Sequence, residues 1–128
     1  MKETGITLSI IVPVYNVMAY LRPCLDGLLS QTCPAGFSYE VLLADDGSTD
    51  GSGAVCDEYA AACRQVRALH RENGGQSAAR NQAIRAAEGA WLAFVDSDDL
   101  VRPEFLAALA GELKNGRDVV LYNSYSTR

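Results

Sequence analysis

The feature that most constrains this chain is a regular exchange of two periodicities. Short apolar, β-branched runs alternate with segments whose apolar residues return every three or four positions, and the runs end in clusters of Asp, Asn, Gly and Ser. Leu8–Val14 (LSIIVPV), Tyr39–Ala44 (YEVLLA), Val66–Leu69, Trp91–Val95 and Val119–Tyr122 read as strands. The first is apolar almost throughout rather than alternating, as suits a strand covered on both faces. Tyr20, Leu21, Cys24, Leu25, Leu28 and Leu29 mark a first helix, with Pro23 expected in its first turn, where proline is tolerated. Val55, Tyr59, Ala62 and Cys63 mark a second helix. Ser77–Ala87 is an alanine-rich third, with Gly89 as its expected stop. Pro103 is expected to open a fourth, with Phe105, Leu106, Leu109 and Leu113 on one face. This β-α-β-α order predicts a single α/β domain with a mostly parallel sheet and helices on both sides.

The length of 128 residues is that of one domain. A net charge of −5 argues against a nucleic-acid-binding surface. It leaves room for a nucleotide held by a metal and backbone N–H groups. No apolar run approaches the roughly 20 residues of a membrane span, and residues 1–7 lack the pattern of a signal peptide. A cytoplasmic location is the resulting expectation, with membrane attachment only through regions beyond the chain, at the inner face. The four cysteines (Cys24, Cys33, Cys56 and Cys63) and the single histidine, His70, lack zinc-site spacing, and the cysteines are expected to be buried reduced thiols.

In open parallel sheets, ligands bind at the carboxyl ends of the strands, and the unusual polar residues collect there. Pro13, Val14, Tyr15 and Asn16 close the first strand, Asp45 and Asp46 the second. Arg71, Asn73, Gly74 and Gly75 follow the third, and Asp96, Ser97, Asp98 and Asp99 the fourth. Asp96 and Asp98 are two apart in an extended segment, so their carboxylates point the same way and repel unless a cation lies between them or one keeps a proton. Mg²⁺ and Mn²⁺ favour such oxygen ligands together with substrate phosphates; the alternative is a solvated acidic turn. Tyr15 reads equally as a core aromatic or as a stacking platform for a base. Arg80, near the start of the third helix, either contacts phosphate or pairs with an aspartate. The segment from Asp45 to Asp50 can be a plain strand-to-helix turn, with Asp50 or Ser52 as N-cap. A calcium loop is disfavoured, because Asp57 stands where a glutamate is required. A phosphoacceptor domain is disfavoured by the absence of lysine after the last strand, and a nucleotidyltransferase by the absence of a glycine-rich basic loop after the first.

Ser9-Ile10-Ile11-Val12-Pro13-Val14-Tyr15-Asn16, Asp45-Asp46-Gly47-Ser48-Thr49-Asp50, Asn73-Gly74-Gly75-Gln76-Ser77-Ala78-Ala79-Arg80-Asn81 and Phe94-Val95-Asp96-Ser97-Asp98-Asp99 together resemble inverting glycosyltransferase family 2, with its Rossmann-like GT-A fold. The resemblance runs from about Leu8 to Leu106. It implies that Pro13, Tyr15 and Asp45 hold the nucleobase, that Asp96 serves the ribose or the metal shell, that Asp98 ligates Mn²⁺ or Mg²⁺, and that 73–81 closes over the nucleotide. Val14, Asn16, Asp46, Asn73, Gly75, Arg80 and Ser97 join the implied nucleotide site. The implied donor is a nucleoside diphosphate sugar, UDP-sugar before GDP- or dTDP-sugar, and the implied acceptor a glycan or lipid-linked sugar, as in polysaccharide biosynthesis. The family's general base lies in an acceptor-binding half beyond this chain. The sequence is therefore expected to be the N-terminal part of a longer enzyme, inactive alone, with a non-catalytic binding module as the alternative.

Overall fold

The computed structural model describes residues 6–114, and the expected strand Val119–Tyr122 lies outside them. Four strands, β1 (Leu8–Val14), β2 (Tyr39–Asp45), β3 (Val66–His70) and β4 (Trp91–Phe94), alternate with four helices, α1 (Met18–Leu29), α2 (Ser52–Ala62), α3 (Gln76–Ala86) and α4 (Phe105–Lys114). The sheet order is β3-β2-β1-β4, every neighbouring pair parallel. The chain steps outward from β1 to β3, then crosses back to place β4 on the far side of β1. A ligand crevice in an open α/β sheet opens at such a reversal.

All seven residues of β1 are buried, because both faces of the sheet are covered. On one face Leu8, Ile10, Val12, Val14, Val41 and Leu43 pack against Leu21, Leu25 and Leu28 of α1, Val55 and Cys56 of α2, and Phe105, Leu106 and Leu109 of α4. On the other, Ile11, Leu42 and Ala44 meet Ala79 and Ala83 of α3. The small alanine side chains let α3 lie close to the sheet. The same face carries a polar cluster at the amino ends of the strands. Ser9 Oγ donates to Glu40 at 2.6 Å, and Glu40 also receives Arg67 and the Glu88 amide. Burying Glu40 is tolerable because its oxygens are all engaged. Among the described residues no helix is long and apolar enough to cross a membrane.

Three local expectations are corrected. α1 begins at Met18, so Pro23 falls in its second turn, where it leaves the carbonyl four residues back without its helical donor. α4 begins at Phe105 rather than Pro103, and its amino end is held by Gln31, whose Oε1 accepts the Leu106 amide and whose Nε2 donates to the Arg102 carbonyl. Gly89 is not a left-handed stop: α3 ends through extended Ala87, and Gly89 is required because a Cβ there would lie 2.6 Å from the Ser9 nitrogen. Of the cysteines, Cys24 and Cys56 are buried as expected, but Cys33 is exposed. The side chain of Leu113 lies outside the described residues.

Candidate functional site

A cavity of about 510 Å³ lies over the carboxyl ends of the strands. Pro13, Val14 and Tyr15 of the β1 end form one wall; Asp46, Asn73 and Gly75 form a second; Asp96, Ser97 and Asp98 form a third. Nine sequence-predicted residues therefore meet at one place. Gln76 and Ala79, from the segment 73–81, and Val17 and Ala44, which were not expected, complete the lining. Ala44 of β2 and Ala79 of α3 belong to the same apolar cluster between the sheet and that helix. Tyr15 is 48% exposed, which removes the core-aromatic alternative.

The two adjacent aspartates of the second motif point to opposite sides of the sheet. Asp45 continues the side of Val41 and Leu43, while Asp46 takes that of Leu42 and Ala44. Asp46 is buried. Its Oδ1 accepts the Gly74 amide and its Oδ2 the Gly75 amide, each at 3.0 Å, so it shapes the glycine loop before α3. Gly47 lets this loop approach: its φ is +75°, and a Cβ would sit 2.7 Å from the Asn73 nitrogen. Asp45 does not line the cavity. Its Oδ1 accepts the Ser48 amide and its Oδ2 faces His70 Nδ1 at 2.7 Å, while His70 Nε2 lies 2.7 Å from Asp57. Hydrogen bonding to Asp57, then to Asp45, raises the His70 pKa against the opposing effect of burial. Sequence reasoning noted His70 only for its unsuitability as a zinc ligand. Its parallel register with Asp45 is the structural reason the two meet.

Asn16 and Arg80 also lie outside the lining. Asn16 adopts a left-handed φ of 51° and turns its Oδ1 to the Thr49 amide at 2.8 Å. Arg80 stacks on the Phe94 ring, its guanidinium carbon 5.4 Å from the centroid, and its buried Nε has no hydrogen-bond partner among the described residues. Neither Asp50 nor Ser52 occupies the N-cap of α2, which falls to left-handed Gly51.

At the end of β4 the carboxylates of Asp96, Asp98 and Asp99 offer oxygens that all lie within 4.8 Å of one another. Three converging hard oxygen donors fit Mg²⁺ or Mn²⁺ and do not fit zinc's preference for nitrogen and sulfur. The buried Cys24 thiol donates to the Asp96 carbonyl beneath this loop at 3.6 Å. Burial first, then the nearby Asp99, Asp98 and Asp96, pushes its pKa up to about 12, so it stays a neutral thiol. α3 begins at Gln76 on the cavity wall with no side-chain cap. Its first N–H groups therefore present the positive end of the helix to the same space.

Comparisons with known proteins agree with this arrangement. The family described as glycosyl transferase family 2 matches residues 9–128. Glycosyltransferase GlyG of Streptococcus pneumoniae serotype 4 is 40% identical over 121 residues, which is 93% of this chain and 39% of GlyG. The crystal structure of S. aureus TarS in complex with UDP-GlcNAc superposes with a TM-score of 0.76 at 33% identity, covering 86% of this chain and 32% of that one. The mannosyltransferase PcManGT of Pyrobaculum calidifontis, in complex with GDP-Man and Mn²⁺, gives 0.67 at 29% identity over 78% of this chain and 30% of its own. The sheet and its flanking helices are thus of the GT-A type, and the chain spans no more than two-fifths of the length of these relatives.

Proposed function

The chain belongs to glycosyl transferase family 2, and we propose on that premise that it is the donor-binding part of a longer enzyme, one that transfers a sugar from a nucleoside diphosphate to a glycan or lipid-linked acceptor with inversion. The observation that carries this reading is the single cavity that joins an exposed tyrosine, an uncapped helix terminus and a convergent carboxylate cluster. Those features match the parts of a nucleotide sugar in order. Tyr15 offers a flat apolar face to the base. The amino end of α3 faces the diphosphate. Asp96 and Asp98 hold the cation, and Asp98 is its principal ligand. When bound, Mn²⁺ or Mg²⁺ supplies Lewis-acid stabilisation of the charge that develops on the departing diphosphate. The Asp99 amide donates to the Asp96 carbonyl at 3.2 Å, so a turn rather than an extended segment brings the two carboxylates to the cavity. The attacking hydroxyl needs a general base, which in this reading belongs to the acceptor-binding part of the longer enzyme. UDP is the first candidate nucleotide, supported by the TarS complex with UDP-GlcNAc; the GDP-Man complex of PcManGT keeps GDP in the comparison.

Thermal unfolding with UDP, GDP or dTDP, each with and without Mn²⁺, tests the reading. A ligand at ten times its dissociation constant adds about 1.4 kcal/mol, a shift of about 3–6 °C for a domain of this size. The expected result is a metal-dependent shift with UDP. No shift with any nucleotide, with or without metal, contradicts it.

A further inference from the structure

α1 begins without a cap of its own: its N-cap is Val17, which has no side-chain oxygen. Three successive amides at this terminus instead donate to the loop after β2. Asn16 N–H reaches Ser48 Oγ at 3.1 Å, Val17 N–H reaches Ser52 Oγ at 3.1 Å, and Met18 N–H reaches Asp50 Oδ2 at 3.0 Å. Two bonds return, from the Thr49 amide at 2.8 Å and the Thr49 hydroxyl at 3.5 Å, both to Asn16 Oδ1. The loop's own side chains are fixed in turn. Asp50 Oδ1 accepts both the amide and the hydroxyl of Ser52, and Asp45 accepts the Ser48 amide. Residues on each side of Tyr15 are therefore tied to the same loop, Val14 by its carbonyl to the Asp46 amide and Asn16 by the bonds above.

Asn16, Ser48 and Asp50 do not line the cavity, whereas Tyr15 does. From this geometry we propose that Asn16, Ser48 and Asp50 are positioning residues for nucleoside diphosphate binding. They act by holding Tyr15 in place as a preformed wall, without touching the ligand. The inference rests on the donor-site reading above and deepens it. The physical basis is preorganisation: an exposed aromatic on an unsecured loop must be ordered when the ligand arrives, and that ordering weakens binding. The left-handed Asn16 separates two causes cleanly. Glycine there keeps the backbone conformation and loses the oxygen, while aspartate keeps both.

The test is calorimetric titration of UDP in the presence of Mn²⁺ into the full chain and its variants, with amide exchange at Val17 and Met18 as a second readout. Asn16→Gly and Asp50→Ala are each expected to weaken UDP about fivefold to tenfold, the equivalent of one lost helix cap. Faster exchange is expected at Met18 in Asp50→Ala. Asn16→Asp should bind as the wild type does. In a Tyr15→Ala background, Asp50→Ala should change affinity by less than about twofold, since coupled residues are non-additive. A full loss that persists without Tyr15 would mean a role in stability alone and overturns the proposal, as would unchanged affinity in both Asn16→Gly and Asp50→Ala. If Asp50→Ala fails to fold, Asn16→Gly alone and in the Tyr15→Ala background decides. A wild-type chain that binds no UDP overturns the donor-site reading as well, so the two failures are told apart.

Discussion

The loops that follow β2 and β4 look alike in sequence, each a cluster of aspartates with serine and, in the first, glycine, yet they are built in opposite ways. In the first, each carboxylate is engaged by donors of the chain itself: Asp46 by the amides of Gly74 and Gly75, Asp45 by the Ser48 amide and His70, Asp50 by Ser52 and the Met18 amide. In the second, whatever else they touch, Asp96, Asp98 and Asp99 bring carboxylate oxygens within 4.8 Å of one another. On the donor-site proposal, the difference separates construction from ligand binding. Carboxylates satisfied by fixed amides rigidify a wall. Carboxylates that face each other gain most when a cation joins them. A strand-end aspartate is therefore not a ligand by type; its neighbours decide.

Asp98→Ala probes the second loop and carries the largest expected effect. It should weaken Mn²⁺-dependent UDP binding by at least about 100-fold, beyond what loss of a supporting residue around a metal costs. The unliganded stability should stay within about 0.5 kcal/mol, because a like-charge contact is removed from a mostly exposed position. Asp46→Ala probes the first loop and, unlike Asp98→Ala, should lower the unliganded stability. Two amides lose their acceptor, and urea unfolding should show a loss of about 2 kcal/mol without any metal or nucleotide. Gly47→Ala sharpens the contrast. Its Cβ would collide with the Asn73 nitrogen at a φ of +75°, so a destabilisation of about 2 kcal/mol is expected, whereas Gly75→Ala, with φ +102° and nothing within 4 Å, should cost about 1 kcal/mol from backbone strain alone.

The smallest effect is a pH dependence within the first loop. Both ring nitrogens of His70 face carboxylates, and only the imidazolium can donate to both. Its folded pKa is raised above the ordinary 6.5. The stabilisation is therefore complete below the unfolded value and is lost as pH rises through the folded one. Thermal midpoints should fall slightly across that window in the wild type and stay flat across it in His70→Gln.

Most of the architecture was legible because it follows from periodicity. Strand β1 announces its double burial by lacking alternation, and of the three- and four-residue returns of α1, Leu21, Cys24, Leu25 and Leu28 reach the core while Tyr20 is exposed. The cavity was legible because parallel strands gather their carboxyl ends. What escaped were pairings between segments distant in sequence. Nothing near Val17 indicates that its helix is capped by residues more than 30 positions later, and nothing near Phe105 points to Gln31. Gly89 was read for its backbone freedom, whereas its lack of a side chain is what Ser9 requires. The assignment of Asp45 to the nucleobase came from the motif as a block. The alternation already present in β2 puts Asp45 on the side of Leu43, and of the two adjacent aspartates Asp46 lines the cavity.

The division between the two loops is tested most directly by the electron paramagnetic resonance of Mn²⁺ titrated with protein in the presence of UDP, comparing wild type, Asp98→Ala and Asp50→Ala. The account predicts that the free-ion signal is quenched by the wild type, is restored in Asp98→Ala, and is still quenched by Asp50→Ala at higher protein concentration. Quenching retained in Asp98→Ala, or abolished at every concentration by Asp50→Ala, would place the cation in the wrong loop and contradict the account.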